Sequence, residues 1–334
     1  MYLFEWLMFD GRKTVDYEAL EKEADRQTNE GEKTPPIGVT QRVSEAIYHN
    51  ESLYCYNSTY IDVRTPSDEK RGVITLIVGG GGAILLWMLS ISLYLVISEF
   101  IAGARTSGTP LDITDYLFNW MFPAIPAISM YFYLKYAFPY LRLEIFTARR
   151  LIVRFNRITR KVYLLRPKHL GGVVALDWDK TDVCINPNMS ELDGTGGFVL
   201  LGWEKEYHAV SDADGNPKDD FEMTLVGKPT RNASELLAFW EYIRRYMEDG
   251  PEAAPAPERL LPRFPWPWHS LSAVWRLDTG FIKTPALWIF IPVHLLLLPL
   301  ILIHACAHWV SLLLCYEPRF PRAIANAGIH RKEK

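Results

Sequence analysis

The chain has 334 residues, 49% of them hydrophobic, and a formal net charge of −3 at pH 7. That length allows one to three folding units. The near balance of charge excludes a molecule held to nucleic acid or to an acidic partner by its overall field.

The first 72 residues read as a cytoplasmic N-terminal segment, partly disordered. "MYLFEWLMFDGRK" is apolar but short, and Glu5 and Asp10 interrupt it, so it is not a secretory signal. "DYEALEKEADRQTNEGEKTPP" predicts a short helix followed by a disordered stretch.

Three apolar blocks follow, and polar composition resumes between them. Val73 to Ser98 has no charge in 26 residues, and Tyr116 to Tyr140 carries only Lys135. Pro285 to Cys315 has no Asp, Glu, Lys or Arg. A helix needs about 20 apolar residues to cross ~30 Å of hydrocarbon, so the first two blocks (residues 73–140) predict a transmembrane hairpin. Buried core helices fit less well, since they are usually shorter and carry a polar face. Gly79, Gly82 and Ala83 in the first block are small enough for close helix packing. The expected partner is the second block, with a homo-oligomeric contact as the alternative. Lys135 lies near the end of its block and can snorkel.

Residues 141 to 168 hold nine basic residues and one acidic one, Glu144, whereas the loop after the first block holds only Arg105. The positive-inside bias therefore predicts that the N-terminal segment and the chain beyond Tyr140 are cytoplasmic.

Residues 141–250 predict an α+β unit. "RLIVRF" and "KVYLLR" flank a turn at Asn156 to Lys161, and "GGVVALDW", "DVCIN", "GGFVLLGWE", "EYHAV" and "FEMTLVG" continue the strands. A helix capped by Asn232 or Ser234 closes the unit, with Leu236, Phe239, Trp240 and Ile243 on one face. Six or seven antiparallel strands and one C-terminal helix form the pattern of a pleckstrin-homology-like barrel or sandwich. The basic residues Arg149, Arg150, Arg154, Arg157, Arg160 and Lys161 lie close after the second block, where they can meet anionic head groups or a protein partner. No aromatic platform for single-stranded nucleic acid accompanies them. "DADGNPKDD" imitates the start of a calcium loop, but Met223 and Pro217 occupy the positions that require Glu and Gly, so it reads as a hairpin tip.

Six prolines between Pro251 and Pro267 predict a semi-rigid linker over residues 251–284, without regular structure. The third block (285–316) would form a helix of about 46 Å at 1.5 Å per residue, too long for one upright crossing. A single crossing would also carry the basic tail (317–334) outside. A re-entrant hairpin bent at Pro292 and Pro299 resolves both conflicts and is preferred over a long tilted span.

Signs of catalysis are sparse. His304 and His308 are spaced i, i+4 with Cys306 between them, but a zincin requires Glu where Ala305 stands. They are weak metal candidates, and interfacial neutral histidines are the better reading. Cys55, Cys184, Cys306 and Cys315 show no CxxC spacing. No nucleophile elbow, P-loop or dinucleotide fingerprint occurs, so the chain reads as non-enzymatic, with no cofactor.

Four stretches taken together, "NSTYIDVRTPSDEKRG", "RFNRITRKVYLLRP", "GGVVALDWDK" and "EPRFPRAIANAG", resemble a family of bacterial inner-membrane proteins catalogued as domain of unknown function 6708. The resemblance runs from about Tyr54 to the C-terminus. It implies a multi-pass inner-membrane protein, often encoded near type VI secretion genes, with an immunity or accessory role toward a secreted effector. A membrane-anchored scaffold or anionic-lipid-sensing module is the alternative. The resemblance carries no catalytic residues. The hairpin turn departs from expectation by having Arg160 where glycine is expected, and residues 1–40 have no counterpart in the family.

Overall fold

The computed structural model describes residues 37–66, 71–104, 108–185, 197–205, 210–218, 221–230, 232–275 and 291–328, together with a few positions among residues 2–9. The helix expected within residues 16–36 lies outside this set, as do the last residues of the basic tail.

In chain order, β1 (Ile37–Gly38), β2 (Leu53–Tyr56) and β3 (Tyr60–Arg64) come first. A π-helical turn (Thr75–Gly79) leads into helix α1 (Gly80–Ala102), which stops at Gly103 in the left-handed region (φ 66°). Helix α2 (Ile113–Phe118) starts at Asp112 with a capping box: Asp112 accepts from Ile113 N, and the Asp115 carboxylate accepts from Asp112 N. Helix α3 (Met121–Phe132) continues through a π-helical turn (Tyr133–Ala137) to a last helical turn (Phe138–Leu141). Strands β4 (Ile152–Asn156), β5 (Lys161–Leu165), β6 (Val173–Asp177), β7 (Asp182–Cys184), β8 (Gly197–Trp203), β9 (Val210–Asp212), β10 (Pro217–Lys218) and β11 (Glu222–Thr230) follow. Helices α4 (Ala233–Glu248), α5 (Pro267–Trp275) and α6 (Ile291–Leu313) complete the described elements of more than one turn.

The chain divides into two units. The first comprises Met1–Lys70, Ala148–Phe264 and Tyr316–Lys334; the second comprises Arg71–Thr147 and Pro265–Cys315.

The first unit is a mixed α+β structure with two antiparallel sheets, one in the order β10-β9-β6-β5-β4-β3-β2 and one in the order β1-β7-β8-β11. Strand periodicity sorts its side chains. Ile61, Val63, Val153, Phe155, Val162, Leu164, Val174 and Leu176 alternate onto the inner face of the larger sheet. They share one core with Val199, Leu201 and Trp203 of the smaller sheet and with Phe239, Trp240 and Ile243 of α4. Helix α4 carries the apolar face expected of it, and its cap is Asn232, which accepts from Ser234 N at 2.8 Å. Gly227 is required for this packing: its φ is +88°, and a Cβ there would lie 2.4 Å from the Phe239 ring. The β9–β10 turn is a hairpin tip, as expected. The Asp212 carboxylate accepts from Asp214 N, Asn216 N and Asn216 Nδ2.

Two boundaries need correction. The β-unit was expected to begin at residue 141, but β1, β2 and β3 of the N-terminal segment are integral strands, and Ile61 and Val63 are fully buried. β1 pairs with β7 and β3 with β4, both far away in sequence, while β2 pairs locally with β3, so local patterning could not place the three strands in the β-unit. The proline-rich stretch, expected as a semi-rigid linker, packs on the first unit. Ala254 is fully buried, Tyr56 Oη donates to Pro251 O and Ala254 O, and Leu261 N donates to Leu53 O. The stretch becomes regular at α5, where Pro267 occupies the first position, which needs no donor.

The outer face of the larger sheet is also covered. Tyr163 and Ala175 pack against Phe320 and Ile324 of the C-terminal segment, and Asn156 Nδ2 donates to Ala327 O at 2.9 Å.

In the second unit, two helices among the described residues are long and apolar enough to cross a membrane, Thr75–Ala102 and Leu295–Leu313. Their apolar side chains are largely exposed, including Ile77 at 69%, Tyr94 at 71% and Ile101 at 83%. The expected second span is less regular. Its helix breaks at Asn119–Trp120, contains Pro126 and passes through a π-helical turn, because its prolines withdraw backbone donors. It packs against α1. Tyr133 Oη donates to Val78 O at 3.1 Å, and a Cβ on Gly82 would lie 2.5 Å from that hydroxyl. Gly79 faces Leu141, and Ala83 is exposed. Of the third block, residues 285–290 lie outside the described residues, and α6 is helical from Ile291 to Leu313 with Pro299 inside it. Its 23 residues amount to about 34 Å at 1.5 Å per residue, and neighbouring α5 packs against it.

Candidate functional site

Of the six basic residues singled out in the sequence, Arg149, Arg150 and Arg154 come together in a cleft of the first unit, and the other three do not join them. Arg157 Nη1 donates to Ser58 O at 3.1 Å. Arg160 is engaged by the Asp179 and Glu248 carboxylates, and Lys161 lies 3.9 Å from Asp177. Strand alternation explains the split. Arg154 projects from the middle of β4 onto the outer face, whereas Arg157 and Arg160 sit in the β4–β5 turn.

Arg160 occupies a left-handed conformation (φ 49°), where glycine was expected. Its guanidinium bridges Asp179 and Glu248, and the Trp178 indole donates to the same Glu248 carboxylate at 2.6 Å. These bonds offset the backbone cost. The Arg160 hydrogen bond holds the Asp179 carboxyl below its usual range.

The cleft has a volume of about 610 Å3. Five guanidinium groups line it, from Arg149, Arg150, Arg154, Arg263 and Arg319, against two carboxylates, Asp62 and Glu317. Arg154 meets Asp62 in a buried fork, Nε to Oδ1 at 2.7 Å and Nη2 to Oδ2 at 2.9 Å. Its guanidinium carbon lies 3.7 Å from the Tyr60 ring centroid and 4.1 Å from that of Phe320. Burial lifts the Asp62 carboxyl, and the Arg154 hydrogen bonds pull it back. Burial likewise opposes charge on Arg154, but its carboxylate partner outweighs that and raises it. Two short bonds between complementary planar groups favour the ionised pair. Arg150, 4% exposed, donates to the carbonyls of Pro262 and Arg263 and shares Glu317 with Arg149, each at 3.3 Å from the carboxylate. The side chains of Arg263 and Arg319 are exposed and make no ion pair among the described residues.

Both carboxylates of the cleft are thus held by guanidinium groups. The arrangement can attract, orient and neutralise an anion.

Sequence reasoning missed Arg263, Arg319, Asp62 and Glu317. A signal was present: the tetrapeptide Pro-Arg-Phe-Pro occurs twice, at residues 262–265 and 318–321, on either side of the third apolar block. Arg263, Phe264, Arg319 and Phe320 from the two copies line the same cleft.

The weak metal candidates have other partners. His304 Nε2 lies 3.0 Å from Arg71 O, and His308 Nδ1 lies 2.9 Å from Ser270 Oγ. A Cβ on Gly72 would lie 2.8 Å from His308 N and 3.0 Å from the His304 ring, so the pair packs directly on that glycine. No group of three or more metal-ligating side chains is found among the described residues. Beside them, the buried Glu144 carboxylate accepts from Gly72 N at 3.0 Å and from Thr75 N and Thr75 Oγ1 at 2.8 Å. An acceptor at a helix start satisfies donors that have no intrahelical partner.

This is a mixed α+β chain with, among the described residues, two membrane-length helices and an arginine-lined cleft. It belongs to a family of unknown function (DUF6708), whose pattern matches residues 128–331. The match includes the strands from β4 onward, α6 and both Pro-Arg-Phe-Pro copies; "NSTYIDVRTPSDEKRG" lies ahead of it. No curated protein and no solved structure matches the chain.

Proposed function

We propose that the protein is a non-enzymatic, multi-pass membrane protein whose β-unit is a cytoplasmic, pleckstrin-like binding module. One observation carries the topology. The chain leaves the β-unit after Lys70 and returns at Ala148, then leaves after Phe264 and returns at Tyr316. The two points of return pair with each other, Arg149 N donating to Tyr316 O at 2.8 Å. A folded unit cannot lie on both sides of a bilayer, so each excursion must begin and end on the same side. The exposed apolar surfaces of α1 and α6 support placing the excursions in lipid.

Reporter fusions test this reading. A reporter inserted at residue 205 and one appended after residue 334 are expected on the same side, with a reporter at Gly108 on the other. Opposite sides for the first two would overturn the reading.

The resemblance supports a secreted effector of a type VI system as partner, with the protein acting in immunity or as an accessory at the bacterial inner membrane. Co-expression with the product of a neighbouring toxin gene tests it by colony counts. Rescue is the expected result, and no rescue by membrane-inserted protein counts against it. The cleft supports the alternative, an anionic-ligand or lipid-sensing module.

A further inference from the structure

We infer that the arginine cleft is a binding site for a phosphate group, with Arg149, Arg263 and Arg319 as its principal contacts. The inference rests on the binding-module reading and names the ligand chemistry.

Charge in the cleft is unbalanced. Asp62 is consumed by Arg154, and Glu317 is shared between Arg149 and Arg150 at 3.3 Å each. Arg263 and Arg319 remain exposed and form no ion pair among the described residues, Arg263 acting on Asp62 only at longer range. Guanidinium groups gathered in one concavity repel one another, and a bound anion relieves that repulsion. A planar fork of donors matches phosphate oxygens in pairs. The Arg154–Asp62 pair, stacked between Tyr60 and Phe320, forms a rigid wall. Arg150 is fixed by two backbone carbonyls, so ordering the wall costs little when ligand enters.

The cleft draws on the chain where it re-enters or leaves the β-unit. Arg149 follows the first excursion by two residues, Arg263 precedes the second by two, and Arg319 follows the second by four. With the excursions in lipid, this sequence position favours the phosphate of a lipid head group over a soluble ester.

The test uses the full chain in a nonionic detergent and phosphate-free buffer. Glycerol 3-phosphate and dihexanoyl phosphatidic acid are titrated calorimetrically, with dihexanoyl phosphatidylcholine as the reference for partition into detergent. Saturable binding is expected, weakening as sodium chloride rises. The Arg263→Gln/Arg319→Gln double variant should bind at least tenfold more weakly. Both positions are exposed, so its thermal unfolding should match wild type, and Lys228→Gln should bind as wild type does. Tighter binding of phosphatidic acid identifies a head-group site, and equal binding identifies a soluble phosphate; either supports the inference. Absence of saturable binding by both phosphate probes, or binding unchanged in the double variant, overturns it. Alkaline extraction of the same protein from membranes reads insertion separately, so failure of the cleft is distinguishable from failure of the membrane reading.

Discussion

Asp62 and Arg154 face each other across the β3–β4 ladder and close a two-bond ion pair on the outer face of the larger sheet. Asp62 comes from ahead of the first apolar block and Arg154 from behind the second. One pair thus joins segments 92 residues apart.

Breaking that pair from one side leaves a buried charge without its partner. Asp62→Ala is expected to cost about 3–5 kcal/mol, and Arg154→Met/Asp62→Leu to recover most of it. Thermal unfolding of the full chain in detergent gives both numbers. Similar losses in the single and double variants would show that the pair itself, rather than the orphaned charge, supplies the stability.

Gly82 leaves room for Tyr133. Gly82→Val forces a side chain into the space of that ring and should destabilise the α1–α3 pairing by about 1–3 kcal/mol. Adding Tyr133→Ala should restore part of the loss. Limited proteolysis of the helical hairpin measures it, and no recovery in the double variant would place the strain elsewhere.

Glu144 is the acceptor for three donors at the start of the first long helix. Glu144→Ala is expected to cost about 1–3 kcal/mol for each donor left orphaned. Glu144→Gln keeps an acceptor oxygen and should cost much less. The fraction of monodisperse protein on size-exclusion chromatography ranks the two, and equal loss would argue against capping.

The Asp179–Arg160 pair predicts a pH dependence. The folded state holds the Asp179 carboxyl below its usual value. Its contribution is therefore complete above the unfolded value of about 4 and fades as pH falls through the lower, folded one. Both side chains are more than a third exposed, so solvent screening limits the effect to about 0.2–1 kcal/mol. The unfolding temperatures of wild type and Asp179→Asn should differ at pH 6 and converge as pH falls through the lowered, folded value. A gap that stays constant as pH falls would assign the difference to packing.

Much of the β-unit was legible because alternation with period two marks half-buried strands: β4, β5, β6, β8 and β11 follow the apolar patterns of their segments. Helix α4 was legible from its apolar face and Asn232. The apolar blocks were visible from composition alone, and Gly82 from the small size its helix contact demands. Arg160 stood out in the turn because its backbone conformation is one that glycine adopts without strain.

Tertiary structure decided the rest. The pairing of β3 with β4 was not recognised because β4 lies beyond two apolar blocks, and sequence adjacency carries no record of such pairing; β2 joins the sheet only through β3. The same holds for the cleft. Asp62, Arg154, Arg263 and Arg319 are brought together only when three separated segments close on one sheet. The run of basic residues at 149–161 could be counted in the sequence, but which of them are neutralised depends on carboxylates supplied from elsewhere: Asp62, Asp179, Glu248 and Glu317. Charge composition is a property of the chain; charge balance at a site is set by distance, and distance is set by the fold.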